Sequence, residues 1–325
     1  MPTKAGNGRH GAKRAIELHA HGGYERLLRA AQALDAIRVA VAHPCNAEAL
    51  QAAIDARDED LIVPVLVGPA ARIAVVAREI GVVLDGIEVV DTEHSHAAAA
   101  AAVRLAREGK VDAIMKGSLH TDELLRAVLD RECGLRTERR VSHAFLMDVP
   151  KYPRPLLITD AAVNIAPKLA DKADILQNAI DLMNRLGYEA PRVAILSAVE
   201  TVNPAIGSTI EAAALCKMVD RGQITGGIVD GPLAFDNAVN VEAARIKGIV
   251  SPVAGRADVL LVPDLESGNM LYKQLVYLAG ADAAGVVLGA RVPVILTSRS
   301  DSLRIRLASC ALAVVLASPP RARAS

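Results

Sequence analysis

From about residue 38 to residue 317, short aliphatic runs alternate with longer stretches of helical period. The runs at 38–42, 61–67, 87–90, 112–115, 192–197, 227–229, 259–262 and 294–297 are continuous and apolar, as expected of strands covered on both faces. Between them, Leu169, Leu176, Ile180, Met183 and Leu186 fall on one helical stripe, and Gly187 follows as a stop signal. The alanine run 97–102 fits a helix, and the apolar stretch 310–317 fits a buried one. This alternation predicts an α/β fold with a mostly parallel sheet.

One segment breaks the rhythm. The runs 141–149 and 156–159 are joined by only Lys151-Tyr152-Pro153-Arg154-Pro155 and its flanks, too little chain for a helical crossover, so they are expected to pair antiparallel. The break marks a domain edge. A first domain is expected over 1–150 plus 288–325 and a second over 151–287, with the loop 285–291 leading back.

Composition narrows the function classes. The 325 residues carry 37 basic and 37 acidic side chains, so no one-sided field points to nucleic acid or an anionic membrane. With no Trp and two Phe, stacking on bases is not a main binding device. No run approaches the ~18 apolar residues of a membrane span. Residues 1–15 are basic with no apolar segment after them, unlike a secretory signal. Cys45, Cys133, Cys216 and Cys310 have no metal-type spacing and read as reduced, space-filling thiols of a cytoplasmic protein.

Three strand-to-helix turns carry candidate chemistry. The strongest is Leu296-Thr297-Ser298-Arg299-Ser300-Asp301-Ser302, ahead of a helix from about 302 to 316. Free N–H groups in a first helical turn attract anions, and Arg299 adds a fork that matches two phosphate oxygens. Ser298 adds a hydroxyl. Asp301 either accepts a proton or, like Ser300, merely caps the helix. The second turn, Lys116-Gly117-Ser118-Leu119-His120-Thr121, brings two cations, Lys116 and Arg126, toward a helix start that Thr121 would otherwise simply cap. The third contains Asp230 and Asp236; capping by Asp236 is its plainer reading, since no further ligand completes a metal set. His94 and His96 likewise lack companions for a metal. No G-x-G-x-x-G, Walker or G-x-S-x-G pattern occurs, so dinucleotide, P-loop and α/β-hydrolase chemistries gain no support.

The stretches MKGSLHTDELLRAVL, RRVSHAFLMDVP, LLITDAAVNIAPKL, IVDGPLAFDNAV, SPVAGRADVLLVPDLESGNMLYK and LTSRSDS, in that order, resemble the phosphate acetyltransferase and phosphate butyryltransferase family. LITDAAVNIAPKL and VDGPLAFDNAV look more like the butyryl branch. The resemblance implies a two-domain α/β fold like that of isocitrate dehydrogenase, a homodimer, and an active site in the interdomain cleft. It implies acyl transfer between coenzyme A and phosphate, with coenzyme A as substrate and no metal or redox cofactor. Ser298 and Arg299 match the family's Ser-Arg pair on the thiol and phosphate. Arg126 matches a phosphate-contacting arginine with spacing shifted by one. Gly117, Ser118 and His120 fall in a matching turn; Asp236, Asn269 and Lys273 lie in matching segments that would line the substrate cleft. The acetyl enzymes' acidic residue seven positions after the serine is Ile305 here, which leaves Asp301 as the nearby carboxylate for a thiol proton. Two other readings remain: a metal-dependent dehydrogenase of the same fold, and a catalytically silent ligand-binding homologue.

Overall fold

A computed structural model describes residues 22–296 and 301–319. The strands, in chain order, are β1 (Ile37–Ala42), β2 (Ile62–Gly68), β3 (Glu88–Asp91), β4 (Ala113–Lys116), β5 (Ser142–Asp148), β6 (Leu156–Thr159), β7 (Arg192–Leu196), β8 (Ile228–Leu233), β9 (Val259–Leu261), β10 (Asp282–Leu288) and β11 (Val294–Ile295). The helices are α1 (Gly23–Gln32), α2 (Ala47–Asp58), α3 (Ala70–Glu79), α4 (Ser95–Arg107), α5 (Thr121–Val128), α6 (Leu169–Arg185), α7 (Gly207–Asp220), α8 (Phe235–Val239), α9 (Val241–Ile246), α10 (Leu265–Ala279) and α11 (Leu303–Ala317). No helix among the described residues is long and apolar enough to cross a membrane.

All eleven strands join one sheet in the order β3-β2-β1-β4-β11-β10-β5-β6-β9-β7-β8. Two parallel sets, β3-β2-β1-β4-β11 and β6-β9-β7-β8, flank a centre in which β11–β10, β10–β5 and β5–β6 pair antiparallel. The expected antiparallel pair is therefore present, with Phe145 opposite Ile158. The expected loop 285–291 needs correction: its first residues belong to β10, where Gly285 lies opposite Phe145. Ala-Ala-Gly in that strand weakens the local β signal, and pairing with β5 supplies what propensity does not.

On one face, α1, α2, α3, α6, α7 and α11 build a continuous apolar core with Leu50, Ile73, Leu176, Ile180, Leu215 and Leu312 fully buried. The stripe Leu176, Ile180, Met183 and Leu186 points into it, and Gly187 ends the helix at φ 92°. The opposite face carries two separate clusters. One lies under α4 and α5 and includes Val287, Val294 and Leu124; the other lies under α8, α9 and α10 and includes Phe145, Ala283 and Tyr272. Their seam crosses β10 at Gly285, where a Cβ would stand 3.0 Å from the Phe145 ring and 3.1 Å from that of His143.

Helix α11 is tied to this seam. Ser309 Oγ accepts the N–H of Gly285 at 2.9 Å and donates to Ile305 O at 2.8 Å. Arg304 grips both Asp282 carboxylate oxygens, reaches Glu25, and lies 3.8 Å over the Tyr24 ring. Because Ser309 is 1% exposed, Ser309→Ala leaves a buried N–H without its acceptor. It is expected to destabilise the protein by about 1–3 kcal/mol, read by denaturant unfolding; an unchanged midpoint would show that the bond contributes nothing.

Candidate active site

The chain runs from β1 outward to β2 and β3, then returns to place β4 on the other side of β1. In open α/β sheets such a reversal leaves a crevice at the carboxyl ends of the strands, where ligands bind. Here the reversal lies between the ends of β1 and β4, where His43 meets the turn Gly117–Ser118. Gly117 N donates to Ala42 O at 2.9 Å and Ser118 N to His43 O at 2.9 Å. A Cβ on Gly117 would fall 2.3 Å from Ala42 O, so only glycine permits this approach.

Ser118 Oγ donates to His43 O at 2.8 Å, accepts from Cys45 N at 3.3 Å and lies 3.0 Å from His43 Nδ1. His43 itself adopts a left-handed backbone, φ 56°, a conformation that non-glycine residues reach at a cost. Burial holds its imidazole below the ordinary histidine range; Arg72 adds to the effect and Glu123 opposes it. Burial likewise pushes the Cys45 thiol up. Lys116 is buried, and its Nζ donates to Gly117 O at 3.1 Å and Leu119 O at 3.3 Å, which stiffens the turn. The structure caps α5 with His120 rather than Thr121, without a side-chain bond, so its first N–H groups keep no side-chain acceptor from that residue. Arg126 stands exposed one turn on.

Strand β11 runs parallel to β4 with Ile295 opposite Met115, so the chain leaves β11 at Leu296 alongside Lys116. Ser298 and Arg299 lie outside the described residues. Beyond them, α11 is capped by Ser302, whose side chain accepts from Ile305 N, and not by Ser300 or Asp301. Asp301 is thereby left for other partners. It accepts a hydrogen bond from the Tyr272 phenol, whose pKa is raised by burial first and by the Asp301 charge second. Tyr272 is stacked on Phe145, ring centroids 3.7 Å apart and 6° from parallel. Phe145 in turn meets His143 at 4.3 Å. Burial lowers the His143 pKa to about 3, and its Nδ1 has no hydrogen-bond partner. A cavity of about 290 Å³ opens between Tyr272, Lys273, Tyr277, Asp282, Asp301 and Ser302.

The structure therefore assembles Lys116, Gly117, Ser118 and His120 in one turn, and Lys273 and Asp301 around one cavity. Asn269, just past the first turn of α10, donates to Ala161 O at 3.2 Å and braces the segment after β6. Asp236 is neither the expected cap nor part of either group. Helix α8 begins after Ala234 without a side-chain cap, and Asp236 lies exposed, 3.3 Å from Lys247. His94 caps α4 through Ala97 N, and His96 Nδ1 lies 3.2 Å from Glu123. Among the described residues no group of three or more His, Cys, Asp or Glu is placed to hold a metal. His43 and Tyr272 are the residues that motif reading passes over. The signal for His43 is its place, directly after an apolar strand and before Pro44 and the Asn46 cap of α2.

A family profile described as "Phosphate acetyl/butaryl transferase" matches residues 96–314. Phosphate acetyltransferase of Rhizobium meliloti is 61% identical over 92% of this chain and 95% of its own length. Phosphate butyryltransferase of Clostridium acetobutylicum is 42% identical over 86% of this chain and 93% of its own. Among solved structures, a branched-chain phosphotransacylase from Enterococcus faecalis superposes with TM-score 0.76 at 32% identity, covering 86% of this chain and 99% of that one. A 4-hydroxythreonine-4-phosphate dehydrogenase from Klebsiella pneumoniae, TM-score 0.53 at 14% identity, shares the fold alone. With matches of this length and identity, and with an α/β sheet that superposes on solved phosphotransacylases, the chain belongs to the phosphate acetyl/butyryl transferase family.

Proposed function

We propose that this phosphate acyltransferase moves an acetyl group between coenzyme A and phosphate, at a site shared by the turn after β4 and the loop after β11. One observation carries the choice of acyl group. The relative from Rhizobium meliloti, 61% identical, is named a phosphate acetyltransferase, whereas the butyryl relative from Clostridium acetobutylicum is 42% identical. The butyryl-like motifs point the other way and supply the second reading. In this proposal Arg299 and Ser298 hold the phosphate with Lys116, His120 and Arg126, over the turn that Gly117 and Ser118 shape. Asp301 serves proton transfer. Asn269 and Lys273 line the opposite wall, and the lobes 1–150 plus 288–325 and 151–287 meet at the site. Coenzyme A is a substrate in this scheme, and no metal or redox cofactor takes part.

The chemistry explains the residue types. When acyl phosphate and coenzyme A form acyl-CoA, the thiol loses its proton, sulfur attacks the carbonyl and phosphate departs. Cations stabilise the departing charge, and N–H donors stabilise the tetrahedral oxyanion. A cytoplasmic homodimer completes the proposal. Support for self-association comes from the apolar residues left exposed on α9, the turn after it and α10: Ile246 at 72%, Val250 at 101%, Met270 at 59% and Leu278 at 84%.

Three measurements test this reading. The ratio of kcat/KM for acetyl-CoA over butyryl-CoA should exceed one, and only partially, because a methylene in an apolar pocket is worth ~1–3 kcal/mol; a ratio below one favours the butyryl reading. Arg299→Lys should be impaired although it keeps its charge, and Arg299→Ala should be worse, by ~2–4 kcal/mol in transition-state stabilisation, with kcat as well as KM affected. An Arg299→Ala protein that melts normally and turns over like wild type removes Arg299 from the site. Light scattering during gel filtration should give twice the 34.1 kDa chain mass, and a monomeric mass ends the dimer proposal.

A further inference from the structure

The position at which the acetyl enzymes carry an acidic residue is Ile305, 8% exposed and packed in the cluster with Phe145 and Tyr272. No carboxylate stands there to take the thiol proton, and Asp301 is engaged by the Tyr272 phenol. A proton acceptor at the thiol end must be sought elsewhere in the crevice.

Counting hydrogen bonds at Ser118 points to it. A hydroxyl has one hydrogen and two acceptor sites. The hydrogen of Ser118 goes to His43 O at 2.8 Å, and Cys45 N donates to one acceptor site at 3.3 Å. The remaining site faces His43 Nδ1 at 3.0 Å, so Nδ1 must be the donor and carry the ring's proton. Two consequences follow. Ser118 is saturated and has nothing left for a substrate. The neutral imidazole is locked in the tautomer whose Nε2 bears a lone pair.

The ring stands at the reversal point between β1 and β4, on a residue held in a left-handed conformation. The charged and titratable groups that face it are Arg72 from α3, Glu123 from α5 with its partner His96 of α4, and Cys45 before α2. Burial and Arg72 disfavour the imidazolium and outweigh Glu123, so the ring is neutral at pH 7.

We propose that His43 is a catalytic residue of the acyl transfer, its Nε2 taking the proton of the coenzyme A thiol, and that Ser118 is the positioning residue that fixes the ring. The assignment rests on the acyl-transfer reading above. In the step, the S–H bond breaks and its proton passes to Nε2. Sulfur bonds to the acyl carbon, and the carbon–oxygen bond to phosphate breaks. The imidazolium then yields its proton to the expelled phosphate, so that phosphate leaves singly protonated and the ring returns to neutral.

The test is thiol consumption with acetyl phosphate and coenzyme A, followed across pH, for the wild type, His43→Asn, His43→Gln, Ser118→Ala and Asp301→Asn. Asparagine tolerates the left-handed backbone, and its amide can replace Nδ1–H toward Ser118 while offering nothing at Nε2. His43→Asn should therefore melt like wild type and lose about 10²-fold or more in kcat, with little change in KM. Wild-type kcat/KM should fall as pH drops through a midpoint below 6.5, the side to which the His43 pKa is shifted, and His43→Asn should lack that acid limb. Ser118→Ala should lower kcat by less and leave KM unchanged. Asp301→Asn should lower kcat while retaining the limb. A folded His43→Asn with wild-type kcat overturns the proposal, as does Ser118→Ala that raises KM without touching kcat. If neither His43 variant folds, the wild-type profile decides: a kcat/KM with no acid limb anywhere below pH 6.5 overturns it. A wild type that consumes no thiol defeats the acyl-transfer reading itself, whereas an active wild type with an unaffected His43→Asn defeats only this inference.

Discussion

Among the described residues, the hydrogen-bonded sheet joins its two parallel halves through β10 and β5. Strand β10 is paired on both sides, to β5 and to β11, and buried backbone groups in such a position must find partners or destabilise the fold. The pairing fixes the distance between the halves, and so the width of the seam above Gly285. Where the antiparallel ladder leaves the Gly285 N–H to another acceptor, α11 supplies Ser309. The helix that begins two residues after Asp301 is thus fastened to the strand that joins the halves. Packing on one face and site geometry on the other depend on the same few hydrogen bonds.

Much of this was legible in the sequence because it was local. Parallel strands buried on both faces show as apolar runs, and the short proline-rich link at 150–155 allows only an antiparallel turn. Strand β10 was not legible, since Ala283, Ala284 and Gly285 carry almost no strand preference and owe their state to neighbours far along the chain. The helix caps show the same limit at finer scale. Several residues near Asp301 and near Thr121 have side chains able to cap, and only the path of the backbone selects Ser302 and His120.

The site divides along the same line. Lys116, Gly117 and Ser118 form a strand–glycine–hydroxyl turn that announces itself within six residues. His43 does not, because its meaning arises from a serine 75 positions away that meets it only once β1 and β4 are neighbours. Tyr272 is similar: its place depends on Phe145 from another element and on Asp301 from a third. Asp236 illustrates the converse. Its motif looked like part of a site, but its side chain lies on the surface beside Lys247.

The tyrosine stack has an optical consequence. The chain has five tyrosines and no tryptophan, so tyrosine dominates its near-ultraviolet absorption and no indole is present to drain tyrosine emission. Tyr272 is the one of these that is stacked on a phenylalanine ring and hydrogen-bonded to Asp301 at the cavity wall. Its transition is therefore shifted by the ring beneath it and by the charge at its hydroxyl. A molecule entering the cavity meets Tyr272 and Asp301, which both line it. The protein carries its own chromophore in the wall of that cavity, with no label attached.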